Sequence, residues 1–225
     1  MIIISDRWKS TYPRAHAGIL VLRGVQNPPA HPDLQNLKTR LEQQLRERFA
    51  EPALIETDRH ITAYGAYYRQ FKKTYAVQGQ LESVVFKGKS IPSVAALVEA
   101  MFMAELKNRL LTAGHDLDRL ELPVTLNVAD GAETYTLLRG QEQTLKAGDM
   151  FMSDGAGVIA SVVYGPDQRT QINPDTHNAL FAVYAPDGIE AAAVRAHLDD
   201  IRDYARVVSP GVEAELLEVY GGDQT

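Results

Sequence analysis

Apolar positions follow three different rhythms along this chain. Ala17 to Arg23 (AGILVLR) is a nearly continuous apolar run rich in branched residues, which predicts a buried strand ended by Gly24 and Asn27-Pro28-Pro29. Over His31 to Ala50 the rhythm becomes helical. Leu34, Leu37, Leu41, Leu45 and Phe49 fall on one face, and the helix should stop before Pro52. Asp33 sits near its start, where the helix dipole favours a carboxylate. A short helical piece covers 80–87 and closes at Gly88. Ser90-Ile-Pro92 then reads as a helix start, with Val94, Leu97, Val98, Met101, Phe102, Leu106 and Leu110 as a broad apolar face and Gly114 as the C-terminal cap.

Beyond Gly114 the period shortens to two. Leu122 to Val128 alternates, Asp130-Gly131 turns, and Thr134 to Leu138 alternates again, which predicts a hairpin. Met150 to Met152, Gly157 to Tyr164 and Asn178 to Tyr184 supply further strands. A last helix follows Asp187-Gly188, with Val194, Leu198, Ile201, Ala205 and Val208 facing inward. After Ser209-Pro-Gly comes an acidic segment (Glu213, Glu215, Glu218, Asp223), which reads as a loosely held tail over 209–225. Helices first and strands second predict a single α+β (broadly α/β) domain over 1–225. Its core spans about 15–205, with a mixed or mostly antiparallel sheet flanked by helices.

Composition narrows the chemistry. With 225 residues and 45% hydrophobic content the chain can bury a core, so global disorder is excluded. There is no cysteine, which removes disulfides, thiolate metal sites and a Cys nucleophile. The apolar start Met1–Ile4 lacks the pattern of a signal peptide, and Val94–Ala104 is too short to span a bilayer. The expectation is a cytoplasmic protein without membrane contact. The six histidines show no metal-binding spacing, which predicts surface or capping roles, no metal and no cofactor. No GxSxG elbow is present.

The formal charge of −6 argues against indiscriminate coating of nucleic acid, but the charge is unevenly spread. From Arg59 to Lys89 there are six bases and one acid, interleaved with Tyr64, Tyr67, Tyr68, Phe71, Tyr75 and Phe86. Arg69, Lys72, Lys73, Lys87 and Lys89 are candidate RNA contacts, with the aromatics available to stack on bases. The plainer reading is a solvated helix face whose tyrosines pack inward. Asp154-Gly-Ala-Gly-Val158 is a turn whose glycines would let a ligand approach the backbone. The 164–176 loop carries Asp167, Arg169, Thr170, Asp175 and Thr176 between two apolar strands. Arg169 there can hold a carboxylate or phosphate, or form an internal ion pair with Asp167 or Asp175.

Several short motifs in fixed order carry a resemblance. They are Ile91-Pro92, Leu97-Val98, Leu106, Gly114-His-Asp-Leu-Asp-Arg-Leu120, Val128-Ala-Asp-Gly131, Gly148-Asp149, Asp154, Ala156-Gly-Val-Ile159, and Thr176 with Asn178-Ala-Leu180. Tyr68-Arg69-Gln-Phe71 and Leu81-Glu82 before Lys87-Gly88 fit as well. Over about residues 15–205 the chain resembles the tRNA-binding and editing domain of the phenylalanyl-tRNA synthetase β subunit, and more closely the free-standing proteins built from that domain. The resemblance implies tRNA or aminoacyl-tRNA as partner and hydrolysis of a mischarged aminoacyl ester in trans. The chain departs from the pattern at the editing side chains. Ala113 stands where the synthetase has His, Ala160-Ser161 replaces its Gly-Gly-Glu, and Glu99 and Phe102 stand in the long helix where the free-standing group has Asp and Asn. Those departures favour the alternative, a non-catalytic binding protein for a small amino-acid-like ligand. If an ester is cleaved, Asp154 or His115 would orient the water. Backbone N–H groups around Gly155 to Gly157 would meet the oxyanion, and Arg169 and Thr170, with Thr176 and Asn178, would hold substrate.

Overall fold

The computed structural model describes residues 2–222. The chain opens with β1 (Ile2–Ile4) and a short helix α1 (Asp6–Thr11), then β2 (His16–Arg23). Five helices follow: α2 (Pro32–Arg48), α3 (Pro52–Glu56), α4 (Arg59–Gln70), α5 (Ala76–Phe86) and α6 (Ala96–Asn108). The strand-rich half runs through β3 (Thr112–Asp116), β4 (Val124–Val128), β5 (Thr134–Thr136), β6 (Glu142–Thr144), β7 (Met150–Asp154), β8 (Gly157–Ser161), β9 (Gly165–Pro166) and β10 (Asn178–Ala185). Helix α7 (Ala191–Val208) and strand β11 (Glu213–Gly221) complete it.

The α+β expectation holds, with the strands divided between two main sheets. One is mixed, in the order β1-β4-β7-β8-β9, where β1 runs parallel to β4. The other is antiparallel, in the order β11-β2-β10-β3. A two-stranded ribbon, β5-β6, stands apart. Side chains alternate across a strand, so the two faces of the antiparallel sheet have different neighbours. Gly18 of β2 faces α7, where an added Cβ would come within 2.5 Å of Val194 Cγ1, so the helix lies close on the sheet. The predicted inward face of α7 is buried at all five positions.

Four expectations change. The acidic tail is not loose: Glu213 to Gly221 pairs with the whole of β2, because that apolar strand has a free edge on that side. Asp223 lies outside the described residues. The strands on either side of Asp130-Gly131 do not pair with each other, since β4 lies between β1 and β7 while β5 pairs with β6. Helix α6 begins at Ala96, not at Ser90, because its first N–H groups are met from elsewhere in the chain. Leu97 N–H donates to Asn27 Oδ1 at 2.9 Å and Ala96 N–H to the Pro28 carbonyl at 2.9 Å. Gly114 does not cap α6. Arg109, in the left-handed region at φ 55°, ends that helix, and Gly114 lies inside β3.

The aromatic cluster of α4 is structural. Tyr64, Tyr67, Tyr68, Phe71 and Tyr75 are all buried, and Tyr64 stacks on Tyr75 at 4.3 Å between ring centroids. Their hydroxyls tie the helix to both sheets. Tyr64 donates to the Tyr184 carbonyl, and Tyr67 donates to Asp149 while accepting from Met150 N–H. These five rings are therefore not free to stack on bases.

Candidate functional site

Strand β3 separates two environments. On the side of Gly114 and Thr112 lies a cavity of about 400 Å³. Helix α5 contributes Ala76, Val77 and Gln80 to it, and α6 contributes Val98, Met101, Phe102 and Glu105. Pro166, Gln171 and Ile172 of the long loop close the third wall. Gly114 makes this arrangement possible, since a Cβ there would stand 2.9 Å from Ile172 Cδ1 and 3.2 Å from Met101 Sδ. The rim is also apolar: Val94 is 65% exposed and Leu138 44%. Large apolar side chains exposed around a concave apolar surface are the mark of a binding site.

Four polar side chains interrupt this lining, Gln80, Glu105, Thr112 and Gln171, and the first two stand out. Glu105 is buried, its Oε1 accepts the Thr112 N–H at 2.7 Å, and burial pushes its carboxyl up to about 8. Gln80 Oε1 is enclosed and has no hydrogen-bond partner. The sequence reading did not single out either residue. The available signal was Glu105 itself, a carboxylate in an otherwise apolar stretch of α6.

On the other side of β3 lies the polar cluster expected from sequence. His115 Nδ1 is 2.7 Å from Thr170 Oγ1, and Thr170 donates its own proton to Asp167. That fixes the histidine as the Nδ1–H tautomer, leaving Nε2 as a buried acceptor with no partner. Burial, reinforced by Arg169 and opposed by Asp154, holds the His115 pKa down to about 4, so the ring is neutral at physiological pH. A surface role fails for three histidines, although His60 meets the Asn108 carbonyl at the end of α6 as a cap would. His60, His115 and His197 are buried, each with a ring nitrogen bonded to a backbone or side-chain group.

The side chain of Asp154 is enclosed and fully engaged. Oδ2 accepts the Glu121 N–H at 2.8 Å, while Oδ1 accepts the Ala156 N–H at 3.0 Å and Arg169 Nη2 at 2.7 Å. Burial alone would raise this carboxyl, but Arg169 and the two N–H donors outweigh it and hold the group below the usual carboxylate range. Arg169 thus forms the internal ion pair, with Asp154 as its first partner and Asp167 at 3.7 Å. Gly155 N–H donates to the Glu121 carbonyl at 2.7 Å, so two of the donors expected to meet an oxyanion are occupied. Gly157, at φ +136°, closes the β7–β8 hairpin. Thr176 Oγ1 donates to Asp116 Oδ2 at 2.8 Å and Asn178 Nδ2 to Asp118 at 2.9 Å, pinning the end of the loop to the segment after β3.

The five candidate RNA contacts are all exposed. Lys72 and Lys73 precede α5, Lys87 and Lys89 follow it, and Arg69 lies in the last turn of α4. The helix that lines the cavity is therefore bracketed by cations. Among the described residues, no three His, Cys, Asp or Glu side chains gather as a metal site, and no helix is long and apolar enough to cross a membrane.

Residues 61–218 match the family model described as the B3/4 domain. The phenylalanine–tRNA ligase β subunit of Pectobacterium atrosepticum is 31% identical over 107 residues, covering 46% of this chain and 14% of that protein. The β subunit from Mycoplasma pneumoniae is 34% identical over 83 residues, 36% of this chain and 10% of that one. The chain thus spans only a small part of these relatives. In fold it is similar to an N-terminal fragment of the phenylalanyl-tRNA synthetase β subunit from Pyrococcus horikoshii, with a TM-score of 0.50, 11% identity, and coverage of 97% of this chain and 50% of that one.

Proposed function

The chain belongs to the B3/4 domain family, and from that premise we propose that it binds the aminoacyl end of an aminoacyl-tRNA, with the aminoacyl side chain in the cavity between α5, α6 and the 166–172 loop. The observation that carries this reading is the cavity itself. It is concave, apolar, rimmed by exposed Val94 and Leu138, and of a size to hold an amino-acid side chain. Lys72, Lys73, Lys87 and Lys89 on either side of α5 supply phosphate contacts next to it, and Arg69 extends them. Asp154, Arg169, Thr170, Thr176 and Asn178 hold the loop that walls the cavity.

Hydrolysis of the ester in trans is the second reading, favoured by one observation. His115 Nε2 is a neutral nitrogen with a free lone pair, one residue along β3 from cavity-lining Gly114. Such a nitrogen can take a proton from an attacking water that reaches it. Asp154 acts indirectly by fixing Arg169.

Two measurements on the purified chain decide between the readings: tRNA binding across a salt series, and deacylation of a panel of mischarged tRNAs. Binding that weakens with salt, and weakens further when the four lysines become Ala, supports the first reading. Cleavage lost in His115→Ala supports the second. Absence of both salt-dependent binding and cleavage overturns the tRNA assignment and leaves a binding protein for a small amino-acid-like ligand.

A further inference from the structure

No Lys, Arg or His is among the described residues that line the cavity. Two of its polar side chains, Glu105 and Gln80, present acceptor oxygens to the cavity. Glu105 has one oxygen on the Thr112 N–H, and Gln80 Oε1 has no partner. Gln80 comes from α5 and Glu105 from α6, so the two approach one volume from neighbouring helices. Leaving a buried acceptor unsatisfied is costly, and a ligand that supplies the donor recovers that cost. The charge follows the same logic. Burial raises the Glu105 carboxyl with no cationic side chain to offset it, and its titratable neighbours Tyr64, Tyr68 and Tyr75 are buried phenols, themselves raised and neutral. A cation entering the cavity would find a carboxyl ready to lose its proton and pair with it. A carboxylate would find no counter-charge on any side chain there.

We infer that the cavity recognises a primary ammonium on an apolar body, with Glu105 and Gln80 as the receiving groups, and that it discriminates esters and amides of apolar amino acids from the free acids. This rests on the placement of the aminoacyl group under Proposed function and adds the groups that read it. An aminoacyl ester carries the ammonium and an uncharged carbonyl, whereas the free amino acid carries a carboxylate that the lining cannot match. The distinction is the one a protein must make if it handles charged tRNA in the presence of free amino acid.

A matched set of probes tests this: leucinamide, leucine, and 4-methylpentanamide, which is leucinamide without its ammonium. Phenylalaninamide is added to cover a larger side chain. Binding to the full chain is followed by calorimetry and by the methyl NMR signal of Met101, which lines the cavity. At least one of the two aminoamides should bind. Leucine and 4-methylpentanamide should each bind at least about tenfold more weakly than leucinamide, since each loses or mismatches one charged contact. Glu105→Gln should weaken leucinamide about tenfold and leave 4-methylpentanamide unchanged. Gln80→Leu, at a half-buried position, should also weaken leucinamide and serves if the first variant fails to fold. Equal binding of leucinamide and 4-methylpentanamide, equal binding of leucinamide and leucine, or no binding of either aminoamide below about 10 mM overturns the inference. Leucinamide binding without any tRNA binding would overturn the tRNA assignment alone. Salt-dependent binding of aminoacyl-tRNA without binding of either amide would overturn this inference alone.

Discussion

Replacing Glu105 with Gln should stabilise the protein near neutral pH and change little in mild acid. The carboxyl has an ordinary value of 4.5 and is pushed up to about 8 by burial in the folded chain. Between those values the unfolded chain has released the proton and the folded chain retains it. Stability therefore falls as pH rises, by about 1.4 kcal/mol for each unit. From pH 5 to pH 7.5 the accumulated loss is about 3 kcal/mol once the curvature at both ends is included, and above pH 8 it levels off. The Gln variant keeps the shape and the acceptor for Thr112 N–H but has no proton to lose. Urea unfolding of both proteins at a series of pH values gives the gap between them directly. His115, His197 and Asp149 titrate in both proteins and cancel in the difference. A gap that opens by about 3 kcal/mol across this window bears out the buried, unpaired acid, whereas a gap that stays constant from pH 5 to pH 8 refutes it.

The acid limb is governed by histidines. His197, like His115, is held down to about 4 by burial, against an ordinary 6.5, so stability is complete above about pH 6.5 and is lost as pH falls toward 4. His197→Gln should flatten that limb by up to about 3 kcal/mol in the same urea series. Arg169→Ala removes the strongest donor to Asp154, so the Asp154 carboxyl should titrate at higher pH by NMR, and the 166–172 amides should exchange faster with solvent. Gly114→Val should fill the cavity wall against Ile172 and Met101 and abolish leucinamide binding. Ending the chain at Gly211 removes β11 and bares the β2 edge, and the truncated protein should lose its cooperative melt or precipitate.

What the sequence makes legible follows from how local each cause is. The α7 face, the α2 stripe and the apolar β2 run depend on periodicity within one element, and each lies where its pattern puts it. The start of α6 depends on Asn27 and Pro28, roughly seventy residues earlier, so Ser90-Ile-Pro92 looks like a start without being one. The β4–β5 hairpin fails for the same reason, because a turn signal at Asp130-Gly131 says that the chain reverses, not which strand it meets. In β11 the acids Glu213, Glu215 and Glu218 look like a tail. The unmet edge of β2 and a bulge between Ala214 and Leu216 make it a strand. At the site, the polar residues were visible as a cluster. The cavity was not, because no local pattern reports an absence of side-chain volume such as that at Gly114.

Those polar residues gain a physical role from the position of β3. It is the edge strand of its sheet, and an exposed edge invites unwanted pairing. The 166–172 loop covers that edge: Asp116 N–H donates to the Thr170 carbonyl at 2.7 Å, and Gln171 bridges to His115. Beyond Pro166, which pairs with β8, only isolated bridges hold the loop backbone, so side chains add to its hold. Arg169 to Asp154, Thr170 to Asp167 and His115, and Thr176 to Asp116 do this from one side. Once fixed, the loop presents Ile172, Gln171 and Pro166 to the other side, where they complete the cavity. The residue types that suggested chemistry therefore serve first to hold the wall of the cavity, and the selectivity inferred for it lies with Glu105 on α6 and Gln80 on α5.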